Sequence, residues 1–177
     1  MIRIETDRLY LQTVPLAGLA ATAVKDRRVA SRVISEQLPE EWFKDAWVFE
    51  LRKKQWIENP RYAPWSIRAI VLKETGEVIG SMNCHHFPMP FKLGDDELLA
   101  TEIGYSIFEE HRRKGYMFEA ITGFLGWAKT EGLSGYVLSV APTNEASHGL
   151  AWKLGATRIG QQIDEKDGPE DIFFCEI

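Results

Sequence analysis

The stretch that most constrains the fold runs from Glu97 to Gly132. "ELLATEIGYSIF" (Glu97–Phe108) reads as a strand, and "EEHRRKG" follows it as a tight, strongly basic turn. Past Gly115 the residues Met117, Ala120, Ile121, Phe124 and Ala128 recur at three- and four-residue spacing, which places them on one face of a helix ending near Gly132. "GYVLSVAP" is then a buried-type strand stopped by Pro142. Strand, basic turn, helix and strand in direct succession require a helix layered on a sheet.

The flanking segments extend that layer. "RLYLQTV" (Arg8–Val14) is a first strand, and Pro15 opens an alanine-rich helix to Asp26. A longer helix is predicted from Glu40 to Glu58, with Trp42, Ala46, Phe49, Lys53 and Trp56 along it and Asn59-Pro60 closing it. "WSIRAIVLK" and "EVIGSMNCHHF" flank "ETG" as a hairpin, and "PMPFKLGDD" (Pro88–Asp96) reads as a loop by its prolines and glycine. "NEASHGLAWKLG" is a short helix with Ala146, Leu150 and Leu154 on its apolar stripe and Gly155 at its end. Strands around Ala156–Ile163 and Asp171–Ile177 finish the chain. No repeat, low-complexity tract or linker divides it, so the reading is one α+β domain over residues 1–177.

The 177 residues, 45% of them hydrophobic and 11% aromatic, suffice for a sizeable core. The formal charge of −5 argues against general nucleic-acid binding but leaves room for a local anion site. Two cysteines, Cys84 and Cys175, are too few for a disulfide framework and lack metal-site spacing. Charged residues occupy the place of a signal-peptide core, and no apolar run approaches the ~18 residues of a membrane span. A cytoplasmic, metal-free protein is expected.

Against that acidic background, Arg112, Arg113 and Lys114 stand together before Gly115. The first N–H groups of a helix lack intrahelical partners, and aligned peptide dipoles leave about half a positive charge there. Phosphate oxygens satisfy both, and glycine permits close approach to the backbone. A solvated basic turn balanced by Glu109 and Glu110 is the competing reading.

"RRKGYM" resembles the acyl-CoA pyrophosphate loop of the GNAT N-acetyltransferase superfamily, Arg/Gln-x-x-Gly-x-Gly/Ala, with Arg112 and Gly115 on the first two key positions and Met117 in place of the small third residue. "IETDRLYL", "TEIGYSIFEEHRRKGYMFEA" and "NEASHGLAWKLGA" are similar, in matching order, to segments of the ribosomal-protein (RimJ/RimL-type) branch. The resemblance covers nearly the whole chain. It implies a mixed, mostly antiparallel sheet splayed at the acyl-CoA site, helices on both faces, and acetyl-CoA as co-substrate.

Carried onto this chain, the resemblance assigns Tyr105, Ser106 and Ile107 to the strand whose backbone pairs with the pantetheine arm. It assigns Arg112, Arg113, Lys114, Gly115, Tyr116 and Met117 to the pyrophosphate, and Asn144 to the pantetheine region. Asn144 is also well placed as a helix N-cap, and the two roles can coexist. Glu102 takes the position of the general base, although an outward strand glutamate paired with a cation reads equally well. Ser147 takes the position of a donor near the thioester sulfur, while Ala151 stands where many members carry an acidic tyrosine.

The implied reaction is attack of a primary amine on the thioester in a ternary complex, with a catalytically silent CoA-binding module as the alternative. An α-amine of pKa ~7.8 is more than about a tenth neutral at pH 7, whereas a lysine near ~10.4 is roughly 0.04% neutral. Protein N-termini and small basic molecules are the implied acceptors, with no nucleic acid or membrane partner and a monomer or homodimer as the assembly. Asp95, Asp96 and Glu97 read either as attraction for a cationic amine or as an exposed acidic loop. Adjacent His85 and His86 alternate across a strand, which makes them a poor metal pair and lets at most one face the cleft.

Overall fold

The computed structural model describes residues 2–35, 38–165 and 168–177. Among the described residues, nine strands form one sheet: β1 (Arg3–Glu5), β2 (Leu9–Thr13), β3 (Arg68–Leu72), β4 (Val78–Cys84), β5 (Met89–Leu93), β6 (Asp96–Ile107), β7 (Gly135–Val140), β8 (Thr157–Asp164) and β9 (Gly168–Glu176). Their order is β1-β2-β3-β4-β6-β7-β9-β8, with β5 added to β6. Every pairing is antiparallel except β6 with β7. The helices are α1 (Leu16–Ala23), α2 (Arg27–Val33), α3 (Ala46–Glu58), α4 (Tyr116–Thr130) and α5 (Glu145–Lys153). This is the mixed, mostly antiparallel α+β architecture the sequence implied.

Two cores lie on opposite faces. Strand alternation sends Ile70 and Ile79 to one side, where they meet Ala120, Ile121, Phe124 and Ala128 of α4 and Ala151 of α5. Ala69 and Val78 go to the other side, against Leu19 of α1, Ala30 of α2 and Phe49 of α3. This second core reaches no further across the sheet than Phe108, and β7, β8 and β9 contribute nothing to it. Among the described residues, the helices of this core therefore do not extend over β7, β8 and β9 on that face.

The sheet also parts. β6 and β7 pair only at Ala100↔Gly135, Thr101↔Tyr136 and Glu102↔Val137. Beyond that point β6 stays with β4 as far as Gly80↔Ile107, while β7 stays with β9 as far as Val140↔Asp171. A V-shaped gap thus opens between residues 103–107 and 138–140, which is the expected splay.

Several sequence expectations need correction. The helix expected over Glu40–Glu58 is a 3-10 turn (Glu40–Phe43) followed by α3, with the break at Lys44–Asp45. The break lets adjacent Trp42 and Phe43 both be buried while Trp42 Nε1 donates to Thr22 Oγ1 at 2.9 Å. Arg52 rather than Lys53 lies on the buried face of α3. The loop expected at Pro88–Asp96 is largely strand β5: it pairs with β6 alone, and an edge strand tolerates Pro90 and its missing N–H. On α5 the fully buried residue is Ala151, one position along from Leu150 of the predicted stripe. Strand β1 and helix α2 carry too little hydrophobic periodicity to have been read. Among the described residues, no helix is long and apolar enough to cross a membrane.

Candidate active site

The basic turn has a defined shape. Residues Glu109–His111 make a 3-10 turn, Arg112 is extended, and both Arg113 (φ +64°) and Gly115 (φ +79°) are left-handed. Arg113 is one of two described non-glycine residues with positive φ, a conformation that persists only where the surroundings fix it. α4 starts directly after Gly115 with no side-chain cap, so its first N–H groups are open to a ligand.

Three anchors hold the turn. Arg112 Nε donates to Ile107 O at 2.9 Å, tying the turn back to the end of β6. Glu119, in the first turn of α4, accepts from Thr6 Oγ1 (2.7 Å), Arg8 N (2.7 Å) and Arg8 Nε (2.6 Å). Arg8 Nη1 also donates to Lys114 O at 3.2 Å, and its guanidinium lies 4.5 Å from the centre of the Tyr116 ring. Burial works to raise the Glu119 carboxyl, but Thr6 and Arg8 together hold it below the usual carboxylate range. Arg8 and Glu119 were not read as site residues; the signal was the "IETDRLYL" segment, whose partner is 111 residues away in sequence.

A cleft of about 480 Å³ lies between this turn, the free side of β6 and the start of α5. Tyr105, Ser106, Ile107, Arg112, Arg113, Gly115, Tyr116, Met117, Asn144 and Ser147 all line it; Lys114 sits in the turn but outside the lining. His85 N donates to Glu102 O and Phe108 N to Ile79 O, so alternation turns the even-numbered backbone groups of β6 towards β4. Those of Ile103, Tyr105 and Ile107 face the gap instead. Ser106 therefore contributes its exposed side chain, not its backbone, to the cleft.

At the start of α5, Asn144 Oδ1 accepts from Ser147 N at 3.1 Å, so Asn144 is an N-cap as expected. The Tyr105 hydroxyl is buried with no hydrogen-bond partner among the described residues. Burial pushes its phenol up, against the opposing influence of the Ser147 side chain.

Glu102 points to the other face of the sheet, at the margin of the region that α3 covers. Its Oε1 lies 3.2 Å from His85 Nδ1. Burial works to raise this carboxyl, but the His85 ring leads the interactions that hold it below its ordinary value. Beneath the pair, buried Arg52 of α3 donates from Nε to Asn83 Oδ1 (2.7 Å) and from Nη1 to His85 O (2.9 Å). Gln55 Nε2 also donates to His85 O, at 2.8 Å. A charged side chain three residues after Phe49, on a helix face that is otherwise core, was the available signal for Arg52. His86 turns elsewhere, its Nδ1 3.0 Å from Phe87 O, and His148 stands beside Asp171. Asp95, Asp96 and Glu97 are exposed at the β5–β6 turn. Among the described residues, no three His, Cys, Asp or Glu side chains gather as a metal site.

Comparison with known proteins agrees with this geometry. Residues 8–157 match the model of the acetyltransferase (GNAT) domain. An uncharacterized N-acetyltransferase of Bacillus subtilis (strain 168), YjdG, is 29% identical over 131 residues, 72% of this chain and 73% of that protein. The ribosomal-protein-S5-alanine acetyltransferase of Vibrio fischeri has the same fold, with a TM-score of 0.68 at 17% identity over 99% of this chain and 97% of the other. RimJ of Mycobacterium smegmatis, solved with CoA-disulfide, gives 0.64 at 16% identity over 99% and 87%. With its splayed sheet and uncapped α4 set at one cleft, and its sequence matched from Arg8 to Thr157, the chain belongs to the GNAT acetyltransferase family and is an acyl-CoA-dependent acetyltransferase.

Proposed function

We propose that the chain acetylates a primary α-amine, that of a protein N-terminus or a small basic molecule. The observation that carries this reading is the division of labour across the splayed strand. One side of β6 offers a cleft suited to CoA, and the opposite face offers a partly exposed carboxylate, Glu102, at the margin of the α3 cover. The fit to CoA is chemical. An uncapped helix end with Gly115 in the turn suits a pyrophosphate, and the gap-facing backbone of Tyr105 and Ile107 suits the amides of pantetheine.

In this reading the N–H groups of residues 112–117 hold the pyrophosphate while Arg112, Arg113 and Lys114 offset its charge. The Asn144 amide adds a donor from the start of α5. The Glu102 side of the strand supplies the basic function that removes a proton from the ammonium form of the acceptor, so that a neutral nitrogen meets the thioester. Ser147, in the first turn of α5 and lining the cleft, supplies a proton or hydrogen bond to the departing thiolate. Ala151 is fully buried, so no tyrosine hydroxyl is available from that position.

An α-amine fits this arrangement because little base is needed to neutralise it, whereas a lysine side chain needs far more. The name of the Vibrio fischeri neighbour, a ribosomal-protein-S5-alanine acetyltransferase, is consistent with a protein acceptor. The test is thiol release from acetyl-CoA with peptides carrying a free α-amine, with N-terminally blocked lysine peptides, and with polyamines. Turnover should be fastest on the free α-amines. Tight CoA binding with no turnover on any amine would instead identify a silent CoA-binding module.

A further inference from the structure

Glu102 does not stand alone on its face of the sheet. The His85 main chain is fixed from both directions: its N–H donates to Glu102 O at 2.8 Å, and its carbonyl accepts from Arg52 and Gln55. The ring is fixed as well, with Nδ1 at 3.2 Å from Glu102 Oε1. A Cβ built on Gly104 would sit 2.6 Å from His85 Nε2 and 3.2 Å from Asn83 Nδ2. The missing side chain at position 104 therefore leaves room for the imidazole to rest against β6.

That position on β6 is informative. Residue 104 is two places past Glu102↔Val137, the last pairing of β6 with β7, so the ring lies at the apex of the splay. Its Nε2 rests against the segment whose neighbours, Ile103 and Tyr105, turn their backbone groups into the gap. The imidazole is also the more exposed partner, at 38% against 24% for the carboxylate. The ring therefore presents the larger fraction of its surface to solvent.

We propose that His85 Nε2 takes the proton from the acceptor amine, with Glu102 as the positioning residue that holds Nδ1–H and steadies the imidazolium. This rests on the transferase reading above. The ammonium passes one proton to Nε2, and the freed nitrogen pair forms a C–N bond to the thioester carbon. Nε2 releases that first proton to solvent and then takes the second from the nitrogen of the tetrahedral adduct. The C–S bond breaks, and the thiolate takes a proton from water, directly or through the Ser147 hydroxyl that water reprotonates, so that one proton is released overall. The charged and polar groups around the pair are Glu102 at the ring's Nδ1, Arg52 and Gln55 at the His85 carbonyl, Asn83 beside Arg52, and Ser139 and His86 on the Glu102 side. An imidazole, with an ordinary pKa of ~6.5, is better matched to an amine at neutral pH than a carboxylate near ~4.3.

The experiment compares wild type, His85→Gln, Glu102→Gln and the double variant by pH-dependent thiol release with an α-amine peptide. His85→Gln should lower kcat/KM about 10²-fold, leave acetyl-CoA affinity unchanged and remove the acidic limb of the profile that belongs to the imidazole. Glu102→Gln should keep that limb but move it to lower pH, and the double variant should be within a few-fold of His85→Gln alone. NMR titration of the His85 ring in wild type and Glu102→Gln tests the pair without depending on the folding of a histidine variant. Its midpoint should fall when the carboxylate is removed, and an unmoved midpoint overturns the pairing. His85→Gln with wild-type rate and profile, beside an inactive Glu102→Gln, overturns this inference and leaves Glu102 as the direct base. No thiol release by the wild-type protein on any amine overturns the transferase reading itself.

Discussion

Two helices begin at the same cleft, and they begin differently. α5 is closed by its own sequence, since Asn144 Oδ1 takes the N–H of Ser147. α4 is longer, 15 residues against 9, and carries the larger aligned dipole, yet no side chain caps it. The residue before α4 is Gly115 in a left-handed conformation, and the turn ahead of it holds three cations. An open end on the longer helix, directly behind three cations, fits the pyrophosphate site proposed there. The capped helix performs the other task, presenting side chains at a fixed angle to the gap between β6 and β7.

The largest expected effect comes from breaking the open end. Gly115→Asp forces an L-residue into φ near +79°, at a cost of about 1–2 kcal/mol, and brings a carboxylate into the turn assigned to the pyrophosphate, its Cβ 3.7 Å from Arg8 Nη2. At about 1.4 kcal/mol per tenfold, acetyl-CoA affinity should fall roughly 10²-fold, measured by calorimetry. Gly115→Ala carries the strain without the charge and should fall about tenfold. Unchanged affinity in the aspartate variant would remove the turn as the phosphate site.

A smaller loss is expected when the clamp behind the turn is loosened. Arg8→Ala removes the Nε bond to Glu119, the Nη1 bond to Lys114 O and the cation–π contact with Tyr116, while the backbone N–H of residue 8 still reaches Glu119. Roughly a tenfold rise in KM for acetyl-CoA is expected, with kcat at saturation little changed, since charge-assisted hydrogen bonds of about 1.5–3 kcal/mol are only partly coupled to the ligand. Glu119 adds a pH signature. Its folded pKa is depressed, so its contribution is complete above the ordinary carboxylate range and is lost as pH falls through the folded value. Wild type should therefore lose stability in acid more steeply than Glu119→Gln, as followed by thermal melts from pH 7 down to about 3.

The contrast between the two helix starts was only partly legible in the sequence. The Arg-Arg-Lys-Gly turn and the Asn144 cap are local patterns, written in residues a few positions apart, and both were readable. So was the order of strands around α4, because a long helix with a clear apolar face leaves little choice of layer. What was not legible depends on register. Thr6 and Arg8 meet Glu119 only because β2 lies beside α4 in space, and no local spacing encodes that contact. The His85–Glu102 pair needs β4 and β6 aligned so that Cys84 opposes Ile103, and adjacent histidines could not reveal which ring turns to the open face. β5 was hidden for a different reason: its prolines read as a loop, and only an edge position makes them compatible with a strand.

The smallest expected effects, and the sharpest comparison, lie at the closed helix. Asn144 lines the cleft while its Oδ1 is committed to the cap, which leaves the amide nitrogen as the donor for a ligand. Asn144→Ala removes both functions; it should cost about 1 kcal/mol of stability, a melting shift of about 2–4 °C for a chain of this size, and a few-fold of acetyl-CoA affinity. Asn144→Asp separates them, because aspartate caps a helix as well as asparagine but brings an anion where the amide donor stood. Its melting temperature should match wild type while its acetyl-CoA affinity falls several-fold. If affinity in Asn144→Asp also matches wild type, residue 144 closes α5 and does nothing more, and recognition at this cleft belongs to the open helix and the free strand backbone. If affinity falls with the cap intact, the closed helix contributes to binding through the part of its cap that the backbone leaves unused.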